Sequence, residues 1–234
     1  MAPGMRGDQS MNADFSAYRA KMVDGQLRTT DVGSVPLLEA MGSVPREAFV
    51  PARLKMLAYI DEDLEIAPAG SSSGARYLME PSPFAKMVQL AAVGKGDVVL
   101  DIGCGTGYSA AVLARLASSV IALECDPDLA AKATATLAQL GDDNAVVVQG
   151  PLAEGWAAEA PYDVIVINGA VESIPDSLFK QLKEGGRLVA VEGLGNAGVA
   201  RLYLKDGGVV TGRRGFNAAV KPLPGFEKAR AFEF

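Results

Sequence analysis

The chain has 234 residues, of which 49% are hydrophobic, and it carries a formal net charge of −6. This length allows one large domain, or one domain with an appendage, and supplies ample apolar material for a core. The acidic balance argues against nucleic acid as a partner, because phosphate binding needs a basic surface. Since the sequence holds no histidine, a histidine base, a histidine-ligated metal and a Ser-His-Asp triad are excluded.

The sequence also predicts the compartment. No apolar run approaches the roughly 18 residues of a membrane helix, and the polar residues 1–14 lack the apolar region of a secretion signal. We expect these residues to be a disordered tail. The only two cysteines, Cys104 and Cys125, give no disulfide framework and suggest a reducing environment. We therefore expect a cytoplasmic protein with no membrane partner and no bound metal.

The sequence of the N-terminal third predicts several short helices. Apolar spacing predicts helices over 15–27, 35–41, 54–59 and 83–92. Residues 67–74 are rich in Gly, Ser, Ala and Pro, which predicts a loop. We expect residues 15–92 to form a helical subdomain that carries this loop.

From residue 93 to 234, strands and helices alternate, which predicts a mostly parallel sheet covered on both faces. The predicted strands are 98–101, 120–124, 145–149, 164–168 and 187–191. The predicted helices are 108–116, 127–140, a short one near 154–158, and 177–182. Residues 200–204 and 209–211 flank a Lys-Asp-Gly-Gly turn and predict a C-terminal antiparallel hairpin.

A glycine-rich turn follows the first of these strands. The strand ends at Asp101, and the chain turns through Gly103, Gly105 and Gly107 into a helix. Glycine permits unusual backbone angles and lets a ligand approach the main chain, while the new helix offers unpaired N–H groups. Glu124 ends the next strand, about 20 residues further on, where a carboxylate suits two ribose hydroxyls. The unit predicts a nucleotide-type ligand; the alternative is a tight turn with no ligand.

The spacing Asp101-x-Gly-x-Gly-x-Gly resembles the S-adenosylmethionine (SAM) site of class I methyltransferases more than the GxGxxG of NAD enzymes. The fold class expected from this resemblance is α/β: a Rossmann-like class I methyltransferase with a mostly parallel sheet and a C-terminal antiparallel hairpin. SAM is the expected cofactor. The residues expected to bind it are Asp101, Gly103, Cys104, Gly105, Thr106, Gly107, Tyr108, Glu124, Cys125, Pro151 and Leu152.

Segments outside the glycine turn narrow the family. Residues 22–28, 44–51, 160–163 and 181–189 occur in an order that resembles protein-L-isoaspartate O-methyltransferases, over roughly 15–225. The resemblance implies SAM-dependent methyl transfer to the free α-carboxylate of an isoaspartyl residue, in one displacement. A carboxylate is already ionised at pH 7, so this chemistry needs no general base and is compatible with the absence of histidine.

The chain departs from that family in the segment that contacts the acceptor. The family carries a Thr-Ile-Ser-Gln-Pro-like sequence, whereas residues 76–81 read Arg-Tyr-Leu-Met-Glu-Pro. Aligned on the proline, Tyr77 replaces the threonine and Met79 replaces the serine. Methionine cannot donate a hydrogen bond to a carboxylate, and Glu80 would repel an anionic acceptor if it faced the pocket. A second departure places Pro151 where the family has an aspartate near the adenine.

Three residues are candidates for the methyl-transfer side. Asn168 follows the fourth predicted strand at the edge where open α/β sheets bind ligands; its alternative role is a loop hydrogen bond. Arg76 could bind an anionic acceptor through two hydrogen bonds, and Tyr77 could stack on a planar one; their alternative is an ordinary solvated loop. We expect residues 67–81 to act as a lid that selects the acceptor.

Three interpretations remain open at this stage. The chain could repair isoaspartyl proteins, methylate a different protein or small-molecule acceptor, or bind SAM or a partner without catalysis. Fold does not decide among them. The altered acceptor segment separates the first interpretation from the other two.

Overall fold

The computed structural model describes residues 14–228. Except for Asp14, the predicted N-terminal tail lies outside the described residues. Asp14 caps the first helix, α1 (Phe15–Met22), because its side chain accepts from the backbone N–H groups of Ser16 and Ala17. The predicted helix over 15–27 is α-helical only to Met22 and continues as a wider turn over Val23–Leu27. Helix α2 spans Val35–Ser43, and two 3₁₀ turns follow, at Arg46–Phe49 and Ala52–Leu57.

A short hairpin that the sequence did not predict precedes the main sheet. Strand β1 (Leu64–Ala67) pairs antiparallel with β2 (Arg76–Leu78). The predicted loop between them is present. The strands have only four and three residues, too few for an alternating pattern to stand out from a loop.

The remaining elements follow the predicted order. They are α3 (Pro81–Ala91), β3 (Val98–Ile102), α4 (Tyr108–Ala114), β4 (Ser119–Glu124), α5 (Pro127–Leu140), β5 (Ala145–Gln149), β6 (Tyr162–Val171), α6 (Asp176–Lys180), β7 (Leu182–Glu192), β8 (Val199–Asp206) and β9 (Val209–Asn217). The predicted helix near 154–158 is instead two 3₁₀ turns, Leu152–Glu154 and Ala157–Glu159. Gly155 separates them at φ +68°, a backbone angle that no helix contains.

The main sheet has the strand order β5-β4-β3-β6-β7-β8-β9. Strands β3 to β7 pair in parallel, whereas β8 pairs antiparallel with both β7 and β9. This arrangement confirms the predicted fold class. The chain runs outward through β3, β4 and β5 and then returns to β6 on the other side of β3. In open α/β sheets, ligands bind at the carboxyl ends of the strands beside such a reversal. That position lies between β3 and β6.

The N-terminal segment packs on the same face as the glycine turn. Leu27, Met41 and Phe49 belong to one buried cluster with Tyr108 and Val112 of α4. The division of the chain at residue 92 stays a prediction. Within residues 14–228, no helix is long and apolar enough to cross a membrane.

Candidate active site

The glycine turn adopts the backbone angles that its sequence predicts. Gly103, Gly105 and Gly107 have φ values of +78°, +58° and +99°. Two side chains press on the turn: a Cβ at Gly103 would lie 2.8 Å from Leu223, and one at Gly105 would lie 2.7 Å from Ile66. The turn therefore lies between the β1–β2 hairpin and a C-terminal segment.

Asp101 is buried beneath the turn. Its carboxylate accepts from the Ser109 hydroxyl at 2.7 Å and from the Asn168 side-chain amide. Burial raises the pKa of Asp101 to about 7, against the opposing effect of these two hydrogen bonds. Asp101 thus connects β3, α4 and β6 and is not itself exposed to a ligand.

Glu124 is fully buried at the end of β4. Its carboxylate accepts from three backbone N–H groups, those of Gly105 at 2.7 Å, Cys125 at 2.8 Å and Asp126 at 3.0 Å. Both terminal nitrogens of the Arg76 guanidinium also donate to it, one of them at 2.8 Å. The Arg76 side chain is only 2% exposed. The structure therefore places Arg76, predicted on the acceptor side, against the predicted cofactor acid.

The loop between β1 and β2 is tied to the same region. The hydroxyls of Ser72 and Ser73 both donate to one carboxylate oxygen of Asp126, each at 2.9 Å. Asp126 follows Glu124 by two residues and caps α5 through the backbone N–H groups of Asp128 and Leu129. The β1–β2 hairpin is thus attached beside Glu124 through the side chains of Ser72, Ser73 and Arg76.

A narrow cleft lies between the hairpin and the glycine turn. Tyr77 and Met79 line one side, and Gly103–Gly105 with Asn168 line the other. The free space has room for about one water molecule. The side-chain oxygen of Asn168 is buried there and has no hydrogen-bond partner.

Arg46 contacts two residues that line this cleft, Met79 and Tyr108. The sequence did not predict this role. Arg46 is fully buried, donates to the carbonyl oxygens of Ala58 at 2.7 Å and Met79 at 2.6 Å, and lies 4.7 Å from the centroid of the Tyr108 ring. Tyr108, predicted to bind cofactor, is buried against this arginine. Nothing in the Val44-Pro-Arg46 sequence distinguishes a buried arginine from a surface one.

The other predicted cofactor residues surround the turn. The Thr106 hydroxyl donates to the Phe49 carbonyl at 2.6 Å. Cys104 is buried, which raises the pKa of its thiol well above the usual value, and half-burial raises the pKa of Cys125 to about 11. Pro151 is exposed and Leu152 is buried, just beyond Gly150, whose N–H donates to the Glu124 carbonyl at 3.1 Å.

Two charged residues lie near Tyr77 and Met79. Lys221 Nζ lies 5.5 Å from the centroid of the Tyr77 ring. Lys221 is in the C-terminal segment, which runs along β6 through hydrogen bonds between Ala170 and residues Lys221 and Leu223. Burial, followed by the charges of Asp63, Asp61 and Glu62, raises the pKa of Glu80 to about 7.

The reversal of strand order, the glycine turn and the acid that ends β4 together define a Rossmann-like methyltransferase. A family model described as "Protein-L-isoaspartate(D-aspartate) O-methyltransferase (PCMT)" matches residues 19–221. The chain belongs to the protein-L-isoaspartate O-methyltransferase family.

Individual relatives agree with this assignment. The chain is 42% identical over 175 residues to protein-L-isoaspartate O-methyltransferase 2 of Anaeromyxobacter sp. (strain Fw109-5), covering 75% of this chain and 70% of that protein. It is also 42% identical over 175 residues to the Koribacter versatilis (strain Ellin345) protein of the same family name, covering 75% and 76%.

Two solved structures share the fold. One named protein-L-isoaspartate O-methyltransferase has a TM-score of 0.78 and 28% identity, covering 88% of this chain and 66% of that chain, so this chain spans just under two thirds of that protein. A Plasmodium falciparum structure described as a beta-aspartate methyltransferase in complex with S-adenosyl-L-homocysteine has a TM-score of 0.73 and 19% identity, covering 88% and 97%.

Family membership confirms the resemblance, the enzyme class and SAM as the cofactor of the family. The roles assigned to individual residues stay predictions.

Proposed function

We propose that this chain transfers the methyl group of SAM to a carboxylate of a protein or peptide, through an acceptor pocket altered from that of its family. One observation carries the proposal: Tyr77 and Met79 line the same cleft as the glycine turn and Asn168. The residues that depart from the family pattern thus face the residues that match it. The acceptor side has changed while the cofactor side keeps its elements.

The residues present fit SAM. The backbone of Gly103–Gly107 and the carboxylate of Glu124 would hold it, as their positions at the switch point favour. The unpartnered oxygen of Asn168 is a buried polar atom that a ligand in the cleft would satisfy. When bound, SAM supplies an electrophilic methyl group.

The chain's own contribution is alignment and exclusion of water. Ile66, Met79 and Phe84 are buried apolar side chains on the walls of the cleft. An acceptor carboxylate is ionised at pH 7 and attacks without a base, so positioning and desolvation can supply the catalysis.

The acceptor side argues for weak isoaspartyl transfer. Met79 offers no donor where the family resemblance implies a hydroxyl. Lys221, over the Tyr77 ring, is a cation that could attract an acceptor carboxylate. Losing one oriented donor costs on the order of 10²–10³ in rate.

The test is transfer of radiolabelled methyl from SAM to an isoaspartyl peptide, beside its aspartyl twin. We expect slow transfer by the natural protein, and faster transfer by the double variant Tyr77→Thr/Met79→Ser. The matched control is Tyr203→Thr, which removes a tyrosine from β8, away from the cleft. Robust isoaspartyl transfer by the natural protein would contradict the altered pocket, and methylation of no carboxylate acceptor would contradict the function itself.

The proposal includes a cytoplasmic location. Cys104 and Cys125 are both free thiols, as a reducing compartment would keep them. Fractionation of cells that express the tagged protein tests this location.

A further inference from the structure

We propose that Arg76 competes with the ribose of the cofactor for Glu124, so that the β1–β2 hairpin is a latch that must leave Glu124 before SAM binds. The inference rests on the proposed function, because it concerns access to the same site. Arg76 is then a residue that sets cofactor affinity rather than one that binds the acceptor.

The first argument is the saturation of the Glu124 carboxylate. A carboxylate offers about four lone-pair positions. Glu124 already accepts from three backbone N–H groups and from both terminal nitrogens of Arg76. Two ribose hydroxyls cannot be added to these five donors, and the backbone groups are fixed by the chain. Arg76 is the donor that can leave.

The second argument is the closure of the cleft by the same hairpin. Ile66 of β1 lies against Gly105, at 2.7 Å from the position of its missing Cβ. Ser72 and Ser73 hold the loop on Asp126, two residues beyond Glu124. The cleft that remains beside the glycine turn is narrow, with room for about one water molecule between its walls. The hairpin therefore covers the site at the ribose acid and at the glycine turn together.

The third argument is that the loop of this hairpin is weakly held. Ile66, Ala67 and Leu78 of its strands are buried in the core. The loop between the strands, residues 68–75, has no buried residue and is held on Asp126 by the Ser72 and Ser73 hydroxyls. The loop can therefore lift, and Arg76 can turn away from Glu124, while the apolar residues of the strands stay in place.

A latch of this kind lowers the apparent affinity for the cofactor. When only a fraction of the molecules is open, the apparent Kd equals the intrinsic Kd divided by that fraction. A substitution of Arg76 weakens the latch, raises the open fraction and tightens cofactor binding, although it removes the Arg76 side chain from the site. A residue that contacts the cofactor would have the opposite effect.

The experiment is calorimetric titration of S-adenosyl-L-homocysteine into the full-length protein and its variants. We expect Arg76→Gln to bind about tenfold more tightly than the natural protein, as for a latch that is open in one molecule in ten. We expect the double variant Ser72→Ala/Ser73→Ala to bind more tightly by a smaller factor. Arg53→Gln is the matched control, because Arg53 makes a surface ion pair with Glu65 of the same hairpin at 3.3 Å, away from Glu124.

Unchanged or weaker binding by a folded Arg76→Gln protein would overturn the inference. If that variant does not fold, the serine double variant decides, and unchanged affinity there overturns it. An equal gain in Arg53→Gln would also overturn it, because the effect would then not depend on Glu124. Failure of the proposed function gives a different result, since it would appear as absent methyl transfer to any carboxylate acceptor, whereas this titration measures binding without turnover.

Discussion

Asp101 and Asn168 join the carboxyl ends of the two strands that flank the switch point, through a hydrogen bond from the Asn168 amide to the Asp101 carboxylate. Asn168 also lines the cleft, and its side-chain oxygen is buried without a hydrogen-bond partner. The Asn168 amide group donates because a carboxylate oxygen of Asp101 accepts the hydrogen bond. The buried acid beneath the glycine turn thus holds Asn168 in place at the cleft.

We predict that the stability of the protein falls as pH rises from about 4 to about 7. In the unfolded chain Asp101 releases its proton near its ordinary pKa of 3.8, whereas burial raises the pKa in the folded protein to about 7. Between these values the folded state holds the extra proton, so the free energy of unfolding decreases with pH. The upper bound is on the order of 4 kcal/mol.

Urea unfolding at several pH values, for the natural protein and for Asp101→Asn, measures this contribution. The variant should lose the part of the slope between pH 5 and 7 that Asp101 contributes, and Glu80, whose pKa burial also raises to about 7, keeps its own part. The exposed Asp143→Asn is the control. Parallel curves for the natural protein and Asp101→Asn would mean that Asp101 does not titrate in this range.

We predict that Arg46→Met destabilises the protein by about 3 kcal/mol, because it leaves the buried carbonyls of Ala58 and Met79 without their donor. The control is Arg28→Met, which removes an exposed pair with Asp24 and should cost under about 0.5 kcal/mol. Urea midpoints compare the two. Similar midpoints would show that Arg46 does not hold the segments together.

We predict that Gly105→Ala weakens binding of S-adenosyl-L-homocysteine at least about tenfold. The substitution strains a residue at φ +58° and crowds Ile66 and the turn. Gly141→Ala carries a similar backbone strain, about 1–2 kcal/mol at φ +71°, but has open space around it and lies at the end of α5. Calorimetry should separate them, and equal affinities would remove the glycine turn from the site.

The parallel sheet could be predicted because its signals are local. Apolar runs mark the strands, Gly141 ends α5 at Leu140 as predicted, and the spacing from Asp101 to Glu124 predicts two acids for the candidate site. These features depend on residues close in sequence, where periodicity and turn chemistry act directly.

The contacts that close the cleft could not be predicted in the same way. Arg76 and Glu124 are 48 residues apart, and neither sequence neighbourhood indicates the other. An arginine after a glycine-rich loop reads as solvated until the fold brings it beside a buried acid. The contact between Leu223 and Gly103 could not be predicted either, because it depends on the direction in which the chain leaves β9.

Hydrogen exchange of the natural protein, with and without S-adenosyl-L-homocysteine, tests the central claim most directly: that the cofactor binds between the glycine turn and Glu124. The amides of Gly105, Cys125 and Asp126 donate to Glu124, so a ligand there must alter their exchange. We predict slower exchange at 103–107 and 124–126 at saturating ligand. Ligand binding with no change in these two segments would place the cofactor elsewhere and contradict the account.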